Sequence, residues 1–101
     1  MTAMNIVHVR VKPGRDADFV QLHQEMAGSD MPGARALWVT KTGDRSYIIV
    51  GEWENFDDIV KARPAMIGSL DRMRDMLEDL GGGRGVTEPY SGEVVFEFKG
   101  G

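Results

Sequence analysis

The ionisable side chain best placed for acid–base chemistry is His23. It belongs to a stripe at helical spacing in the run DADFVQLHQEM, and this stripe consists of Phe19, Leu22, His23 and Met26. An imidazole held against a sheet in apolar surroundings stays neutral near pH 7. It could take a proton from an acidic phenol or ketone and prepare the carbanion to react with oxygen. The alternative interpretation is a histidine at the edge of the core, hydrogen-bonded to backbone or water.

Three aromatic side chains on predicted strands, Trp38, Tyr47 and Trp53, could wall a flat pocket next to His23. An indole N–H could also donate a hydrogen bond to an oxyanion. Asn5, at the start of the first predicted strand, is a polar contact for a ligand or for oxygen. These four are the candidate substrate-binding residues, and His23 is the candidate catalytic residue. Ordinary packing of the aromatic rings, and capping of the sheet edge by Asn5, are the alternatives.

The second histidine, His8, belongs to the alternating run NIVHVRV. It shares a strand face with Ile6 and Arg10, opposite the three valines of the run. If the valines meet the helices, His8 points away from them into an interface between copies of the chain. It is then a contact residue rather than a base.

Other kinds of site find no support in the sequence. The chain has no cysteine, which removes disulfides, thiolate nucleophiles and cysteine-bound metals. Its two histidines lack a spaced carboxylate pattern for metal binding, and no serine–histidine–aspartate signature is present. The run GGGRG follows a predicted helix instead of opening one, so it indicates a helix end rather than a phosphate loop. We expect no metal and no bound cofactor.

Alternation and turn residues predict the elements that position these side chains. Strands are predicted over residues 5–11, 34–42, 46–53 and 93–98, with a hairpin turn at GDR between the second and third. A first helix is predicted over residues 16–27, and GSDMPG ends it. The resulting order is β–α–β–β–α–β.

The second helix is predicted in two pieces, residues 56–62 and 64–80, because Pro64 lacks an N–H and disfavours helix at Arg63. Asn55 is its predicted N-cap. An apolar seam follows the main piece and consists of Met66, Leu70, Met73, Leu77 and Leu80.

Length and charge narrow the class of protein. A chain of 101 residues forms one domain, residues 1–101, with a modest core. Its net charge of −4 argues against a nucleic-acid partner, which would need clustered lysine and arginine. No apolar run approaches the roughly 20 residues of a membrane span, and the N-terminus lacks a signal-peptide pattern. We expect a cytoplasmic protein that does not bind membranes.

The predicted order is that of the ferredoxin-like α+β fold, in which both helices cover one face of a four-stranded antiparallel sheet. The other face would expose apolar residues, among them Ile6, Ile48 and Val50. A second copy of the chain is the simplest cover. We therefore expect a homodimer joined through sheet faces.

This order, with MPG before the second strand and GEWEN between the third strand and the second helix, resembles the antibiotic biosynthesis monooxygenase family over residues 4–98. The resemblance implies a dimeric α+β barrel, made of two ferredoxin-like sheets packed face to face. The family includes cofactor-free oxygenases of polycyclic phenols and quinols, haem-degrading members and proteins without known activity. The implied function is that of a cofactor-independent monooxygenase acting on an aromatic or quinol-type small molecule.

The sequence departs from the family pattern in the second helix. Family members often carry a histidine there, at the position of Ala62 in this chain. The haem-degrading members have a histidine further along, and this helix has none after Trp53, which disfavours haem chemistry. The missing histidine favours the alternative function, a non-catalytic dimer that binds a small apolar molecule or has a structural role.

Overall fold

The computed structural model describes residues 1–26 and 31–100 of the chain. The strands are β1 (Ala3–Arg10), β2 (Ala34–Gly43), β3 (Ser46–Trp53) and β4 (Glu88–Glu93), and the helices are α1 (Asp16–Met26) and α2 (Phe56–Met73), with a short 3₁₀ turn at Arg74–Met76. The strands form one antiparallel sheet in the order β2-β3-β1-β4. The predicted ferredoxin-like α+β fold is confirmed.

Alternation along the strands gives the sheet two different faces. Residues Val9, Tyr47 and Trp53 point toward the helices and are buried. The opposite side, which we call the outer face, contains the residues that alternate with them: Met4, Ile6, His8, Ala36, Trp38, Thr40, Ile48, Val50, Glu52, Glu88 and Tyr90. No described helix covers this face, and Trp38 and Tyr90 are 49% and 62% exposed. The dimer that would cover it stays a prediction.

The core on the helix side has two parts. The first, which we call the Tyr47 cluster, consists of Val9, Val11, Phe19, Leu22, Tyr47, Met73 and Leu77. The second, the Trp53 cluster, consists of Ala3, Trp53, Ile59 and Ala62. Tyr47 and Trp53 lie at opposite ends of β3, about 20 Å apart at the usual rise of a strand. The helix side of the sheet therefore has two packed ends.

The hairpin between β2 and β3 is present as predicted, and Arg45 in its turn has a left-handed backbone with φ of 58°. The Arg45 Nη1 donates to the Val11 carbonyl at 3.1 Å and to Glu78 Oε1 at 2.6 Å. These bonds tie the turn to the end of β1 and to the segment after α2. The start of α1 at Asp16 also agrees with the prediction, whereas residues 27–30, which include the first half of the predicted GSDMPG turn, lie outside the described part of the chain.

The predicted break of the second helix at Pro64 is wrong, because α2 runs through this residue without interruption. A proline inside a helix leaves the carbonyl four residues earlier without its partner. That carbonyl belongs to Val60, and both residues are exposed, so water can take the place of the missing N–H. The predicted N-cap is confirmed, since Asn55 Oδ1 accepts from the Asp58 N–H at 3.0 Å.

The second helix also ends earlier than predicted. Leu77 has an extended backbone and forms a β-bridge with Val11, so Leu77 and Leu80 are buried outside the helix. Leu77 and Leu80 continue the helical spacing of the apolar seam because these side chains still point into the core after α2 has ended. In the described residues, no helix is both long and apolar enough to cross a membrane.

The prediction of a fourth strand over residues 93–98 is wrong. β4 ends at Glu93, and its sequence EPYSGE contains a proline and a glycine yet pairs with β1 along its length. We call residues 94–99 the C-terminal segment. It starts with the Val94 N–H donating to the Thr2 carbonyl at 2.8 Å. Its Val95, Phe96 and Phe98 are 90%, 81% and 82% exposed. Their alternation is typical of a half-buried strand, yet the structure assigns no strand to residues 94–99.

Candidate functional site

The His23 ring is buried, and one backbone contact fixes which of its two nitrogens carries the proton. The Nδ1 atom lies 2.9 Å from the Phe19 carbonyl oxygen. A carbonyl only accepts, so Nδ1 carries the proton and the neutral ring keeps its lone pair on Nε2. Burial lowers the pKa of His23 below its ordinary value, and the bond to Phe19 opposes this with a smaller effect. The imidazole is therefore neutral at pH 7, with Nε2 as the basic atom.

Tyr47 fastens α1 to the sheet. Its hydroxyl donates to Asp16 Oδ2 at 2.6 Å. This bond, then burial and the nearby charges of Asp16 and Asp44, raises the pKa of Tyr47 to about 12. The Phe19 ring links the two candidate residues, with its centroid 4.6 Å from that of His23 and 5.0 Å from that of Tyr47. The Tyr47 hydroxyl is thus already committed to a structural bond.

A surface hollow of about 550 Å³ lies next to this bond. It is lined by Asp16, Ala17, Val20, Gln21, Gln24 and Tyr47. His23 is not among the lining residues, so this hollow gives a ligand no access to the imidazole.

Trp53 has a buried donor without an acceptor. Only 3% of the residue is exposed, and among the described residues the indole Nε1 has no hydrogen-bond partner. The ring reaches across Gly51, where an added Cβ would lie 2.9 Å from Nε1. A buried N–H without a partner is unfavourable, so an oxygen atom of a bound molecule would stabilise it.

Asn5 lies next to this donor. It is the direct cross-strand neighbour of Gly51, which puts its side chain beside the Trp53 indole on the helix face. Its Oδ1 accepts from Ser91 Oγ at 2.8 Å, and its Nδ2 donates to Met66 Sδ at 3.5 Å. A thioether is a weak acceptor, so an oxygen of a ligand would be a better partner for Nδ2. Asn5 and Trp53 therefore hold two N–H groups on adjacent strands of the helix face.

Sequence reasoning missed Ser91, which holds the Asn5 amide in this orientation. The signal for Ser91 is its pairing with Asn5 between β4 and β1. That pairing could be inferred only with the fourth strand placed over residues 88–93, and the alternating apolar residues that follow drew the prediction away from it.

Ala62 lies in the Trp53 cluster and is 8% exposed. The position at which the resemblance leads us to expect a histidine therefore faces Trp53, and in this chain it holds a methyl group. The whole of α2 lacks histidine. An imidazole that serves this site must come from α1, where His23 is the only histidine.

The structure does not bring all five candidates together. Asn5 and Trp53 are neighbours, whereas His23 and Tyr47 belong to the other end of the helix face. Trp38 pairs with Val50 on the outer face, so it cannot form one pocket with Tyr47 and Trp53. A role of Trp38 in binding stays a prediction.

His8 lies on the outer face, as the valine alternation predicts. Its Nε2 is 3.1 Å from Ser46 Oγ, and its Nδ1 is 3.7 Å from Glu88 Oε1. In the described ranges, no three histidine, aspartate or glutamate side chains gather as a metal site would require.

The fold and the buried donors define a ferredoxin-like α+β protein with polar groups on the helix side of its sheet. The sequence model of the antibiotic biosynthesis monooxygenase family matches residues 2–63, more than half of the chain. The chain belongs to the antibiotic biosynthesis monooxygenase family. No curated protein sequence matches it.

Solved structures share the whole fold at low sequence identity. A putative antibiotic biosynthesis monooxygenase from Bordetella bronchiseptica is 17% identical with a TM-score of 0.76, over 94% of this chain and 98% of that one. A putative family member from Chloroflexus aurantiacus is 18% identical with a TM-score of 0.71, over 98% of each chain. SnoaB, a cofactor-independent oxygenase from Streptomyces nogalater, is 16% identical with a TM-score of 0.73, over 95% of each chain. At these identities the likeness establishes the fold.

Proposed function

We propose that this protein is a cofactor-independent monooxygenase of an aromatic or quinol-type small molecule, bound on the helix side of its sheet. The observation that carries the proposal is the buried Trp53 Nε1 without a partner, next to the Asn5 amide. Two N–H donors in an apolar setting stabilise an oxygen on which negative charge develops. Membership of the family and the shared fold with an oxygenase support the same function.

In this proposal the substrate oxygen accepts hydrogen bonds from Trp53 Nε1 and Asn5 Nδ2, and His23 Nε2 removes a proton from the substrate. The resulting carbanion gives electrons to O₂. When a CH₂ group becomes a carbonyl, one oxygen atom enters the product and the other leaves as water. The substrate supplies all the electrons, so the reaction balances without a bound reductant.

The spacing of the residues favours a polycyclic substrate. α1 begins at the Tyr47 end of the helix face, where Asp16 accepts from the Tyr47 hydroxyl. After α1, Met31 packs against the Trp53 cluster at the other end. His23 lies about 10 Å along α1 from Asp16, given a rise of 1.5 Å per residue. It is therefore set back from Trp53 along the sheet. A substrate that contacts both Trp53 and His23 would need to extend over several fused rings, so the proposed mechanism favours a polycyclic molecule over a single ring.

Oxygen uptake tests this function. Metal-free protein should consume O₂ with a member of a panel of polycyclic hydroquinones and anthrones, at rates above those of the buffer. Trp53→Phe removes the N–H and should lower kcat by roughly 10²–10³. Tyr90→Phe, which changes an exposed ring on the outer face, should retain the parental rate. Uptake that is indifferent to Trp53→Phe, or absent across the panel, would contradict the proposal.

The second candidate function is non-catalytic binding of a similar molecule, and the observation in its favour is the Ala62 methyl group facing Trp53. Both functions predict that a polycyclic quinol quenches Trp53 fluorescence, and that Trp53→Phe removes this part of the quenching. Only the oxygenase consumes O₂ with the bound quinol. Quenching without uptake would therefore establish the binding function.

A further inference from the structure

We propose that Met66 is an oxidation site that controls the Asn5 donor. Hydrogen peroxide converts the Met66 thioether to a sulfoxide, and the sulfoxide oxygen then accepts the hydrogen bond of the Asn5 N–H. A strong acceptor on the protein itself thereby replaces a weak one. The effect on substrate binding rests on the proposed function, whereas the oxidation and its effect on Asn5 do not.

The sulfur of Met66 lies against a hydrogen-bond donor that is held in place. Asn5 Nδ2 donates to Met66 Sδ at 3.5 Å. The other end of the amide is fixed, because Asn5 Oδ1 accepts from the Ser91 hydroxyl at 2.8 Å. A thioether is only a weak acceptor. The Asn5 N–H therefore points at a partner that satisfies it incompletely.

Met66 is more accessible to an oxidant than a core methionine is. It lies one turn after Ala62 on α2, is partly buried and packs against the Trp53 cluster. Met73, in the core of the Tyr47 cluster, is only 5% exposed. Oxidation of a methionine requires that the oxidant reach its sulfur. Peroxide should therefore react with Met66 well before it reacts with Met73.

The oxidation consumes one molecule of peroxide and needs no other reactant. A lone pair of Sδ attacks one oxygen of H₂O₂, a sulfur–oxygen bond forms and the O–O bond breaks. The second oxygen takes the proton of the transferred hydroxyl and leaves as water, so sulfur loses two electrons and the peroxide gains them. Asn5 engages one of the two lone pairs of the thioether, and the other makes the attack. Rotation about the flexible bonds of the side chain then turns the new oxygen toward Asn5.

The surroundings of Met66 suit a sulfoxide better than an ordinary core does. A sulfoxide in apolar surroundings is destabilising, because its oxygen is a buried polar atom without a partner. At Met66 the Asn5 N–H supplies that partner, and the neighbouring cluster contains the unpartnered Trp53 Nε1. The oxidised protein should therefore remain folded, with the Asn5 N–H bound to its own chain.

The proposed reaction is itself a source of the oxidant. When O₂ takes two electrons and two protons from a hydroquinone without insertion of oxygen, the products are a quinone and H₂O₂. This peroxide forms beside Met66, and the sulfoxide would occupy the donor that the next substrate molecule needs. Oxidation would thus stop a protein whose oxygen chemistry has become uncoupled from its substrate. Methionine sulfoxide reductases would restore the thioether.

Peptide mass spectrometry tests where oxygen enters. The tryptic peptide of residues 62–72 contains Met66 as its only methionine. After treatment of the folded protein with hydrogen peroxide, this peptide should gain one oxygen. Its rate should exceed that of Met73, followed on peptides from a second protease, about tenfold. Equal rates at the two methionines, or no oxygen at Met66, would overturn the proposal.

Nuclear magnetic resonance tests the link to Asn5. The chain contains two asparagines, Asn5 and Asn55, and Asn55→Asp distinguishes their side-chain amides while it retains a cap for α2. Oxidation should move the Asn5 amide protons downfield and slow their exchange about tenfold. The signals of Asn55 should stay in place. Asn5 signals that do not move when Met66 is fully oxidised would contradict the control of the donor.

Three substitutions separate the sulfoxide from other effects of peroxide. Met66→Gln supplies a carbonyl oxygen, so the Asn5 signals should take the oxidised position without any peroxide. Met66→Leu supplies no acceptor, so its Asn5 signals should not respond to peroxide. Met76→Leu removes another partly buried methionine and should respond as the parent does. A response in Met66→Leu equal to that of the parent would assign the effect to a different residue.

Quenching of Trp53 fluorescence by a polycyclic quinol measures the effect on the site. Oxidation of the parent should weaken quinol binding about tenfold, as the loss of one hydrogen bond would, and methionine sulfoxide reductase should restore it. Met66→Leu should bind equally before and after peroxide. Undiminished binding by fully oxidised protein would overturn the regulatory role of Met66. A parent protein that binds no quinol contradicts the proposed function alone, since the Met66 and Asn5 measurements use no quinol.

Discussion

The Trp53 indole lies where it does because residue 51 has no side chain. An added Cβ would be 2.9 Å from Nε1, closer than packing allows. Gly51→Ala should therefore push the ring aside and lower the free energy of unfolding by about 1–3 kcal/mol. Chemical denaturation followed by circular dichroism measures the loss, and the tryptophan emission should shift with it.

Gly68→Ala is the matched control. No neighbouring heavy atom outside the helix backbone lies within 4 Å of a Cβ at this glycine of α2. Alanine should therefore fit without displacing a neighbour and should favour the helical conformation. The expected change is a gain of about 0.5–1 kcal/mol. A similar gain for both alanines would show that Gly51 gives no room to the indole.

His23 should make stability depend on pH. Burial lowers its pKa in the folded protein below the ordinary value of 6.5. Between the two values the unfolded chain binds more protons than the folded one, so stability falls as pH falls from about 6.5 toward the folded pKa. Urea midpoints at pH 7.5 and at pH 5 measure this loss. His23→Gln should remove its part of the slope, whereas His8→Gln leaves His23 in place and should retain it. An identical slope in His23→Gln would contradict the shifted pKa.

Single residues on regular alternation were predictable from sequence, and their partners were less so. The periodicity of α1 and β3 put His23 and Trp53 in the core, where the structure has them. Alternation alone did not give the face of Trp38, because β2 lacks a clear apolar side and has irregular register near Ala34. The bond from Ser91 to Asn5 depends on pairing between distant segments, which local patterns do not encode.

At the scale of elements, α2 shows that a proline need not divide a helix. Pro64→Ala should restore the backbone donor opposite the Val60 carbonyl and raise the free energy of unfolding. An interior proline costs a helix about 3 kcal/mol, while restricting the unfolded chain returns about 1 kcal/mol. Because water can hydrogen-bond to the exposed Val60 carbonyl, the missing helical bond costs less than this. We therefore expect Pro64→Ala to raise the free energy of unfolding by about 1–2 kcal/mol.

Pro13→Ala provides the contrast, because Pro13 lies in the turn between β1 and α1. There alanine gives the unfolded chain more conformational freedom and restores no helical hydrogen bond. The substitution should therefore lower the free energy of unfolding by about 0.4–1 kcal/mol. Thermal and urea melts of both variants measure the two signs. A loss of stability in Pro64→Ala would show that the proline stabilises the folded protein more than its missing hydrogen bond destabilises the helix.

The element order followed from local signals, and two boundaries did not. Alternation, turn residues and the Asn55 cap located six elements in the right sequence. The end of α2 is followed by the bridge of Leu77 to Val11, just after β1, and the position of β4 is decided by its pairing with β1. The apolar seam after Pro64 and the alternating residues 93–98 are each compatible with more than one tertiary environment. Neither pattern therefore determines where α2 ends or where β4 lies.

At the scale of the whole molecule, the outer face predicts association. Sedimentation at micromolar concentration should give about twice the 11.2 kDa mass of the chain. Ile48→Asp places a charge in the centre of this face and should give the monomer mass. Val60→Asp, on the exposed side of α2, should leave the dimer intact. A parent protein that sediments as a monomer at these concentrations would contradict the two-sheet architecture.

The measurement that tests the function most directly is the rate of oxygen uptake by His23→Ala with a polycyclic hydroquinone that the parent oxidises. If His23 Nε2 removes the substrate proton, the rate should fall by roughly 10²–10⁴ while circular dichroism and sedimentation stay those of the parent. His8→Ala, on the outer face, should keep the parental rate. Equal rates for His23→Ala and the parent would contradict the proposed mechanism.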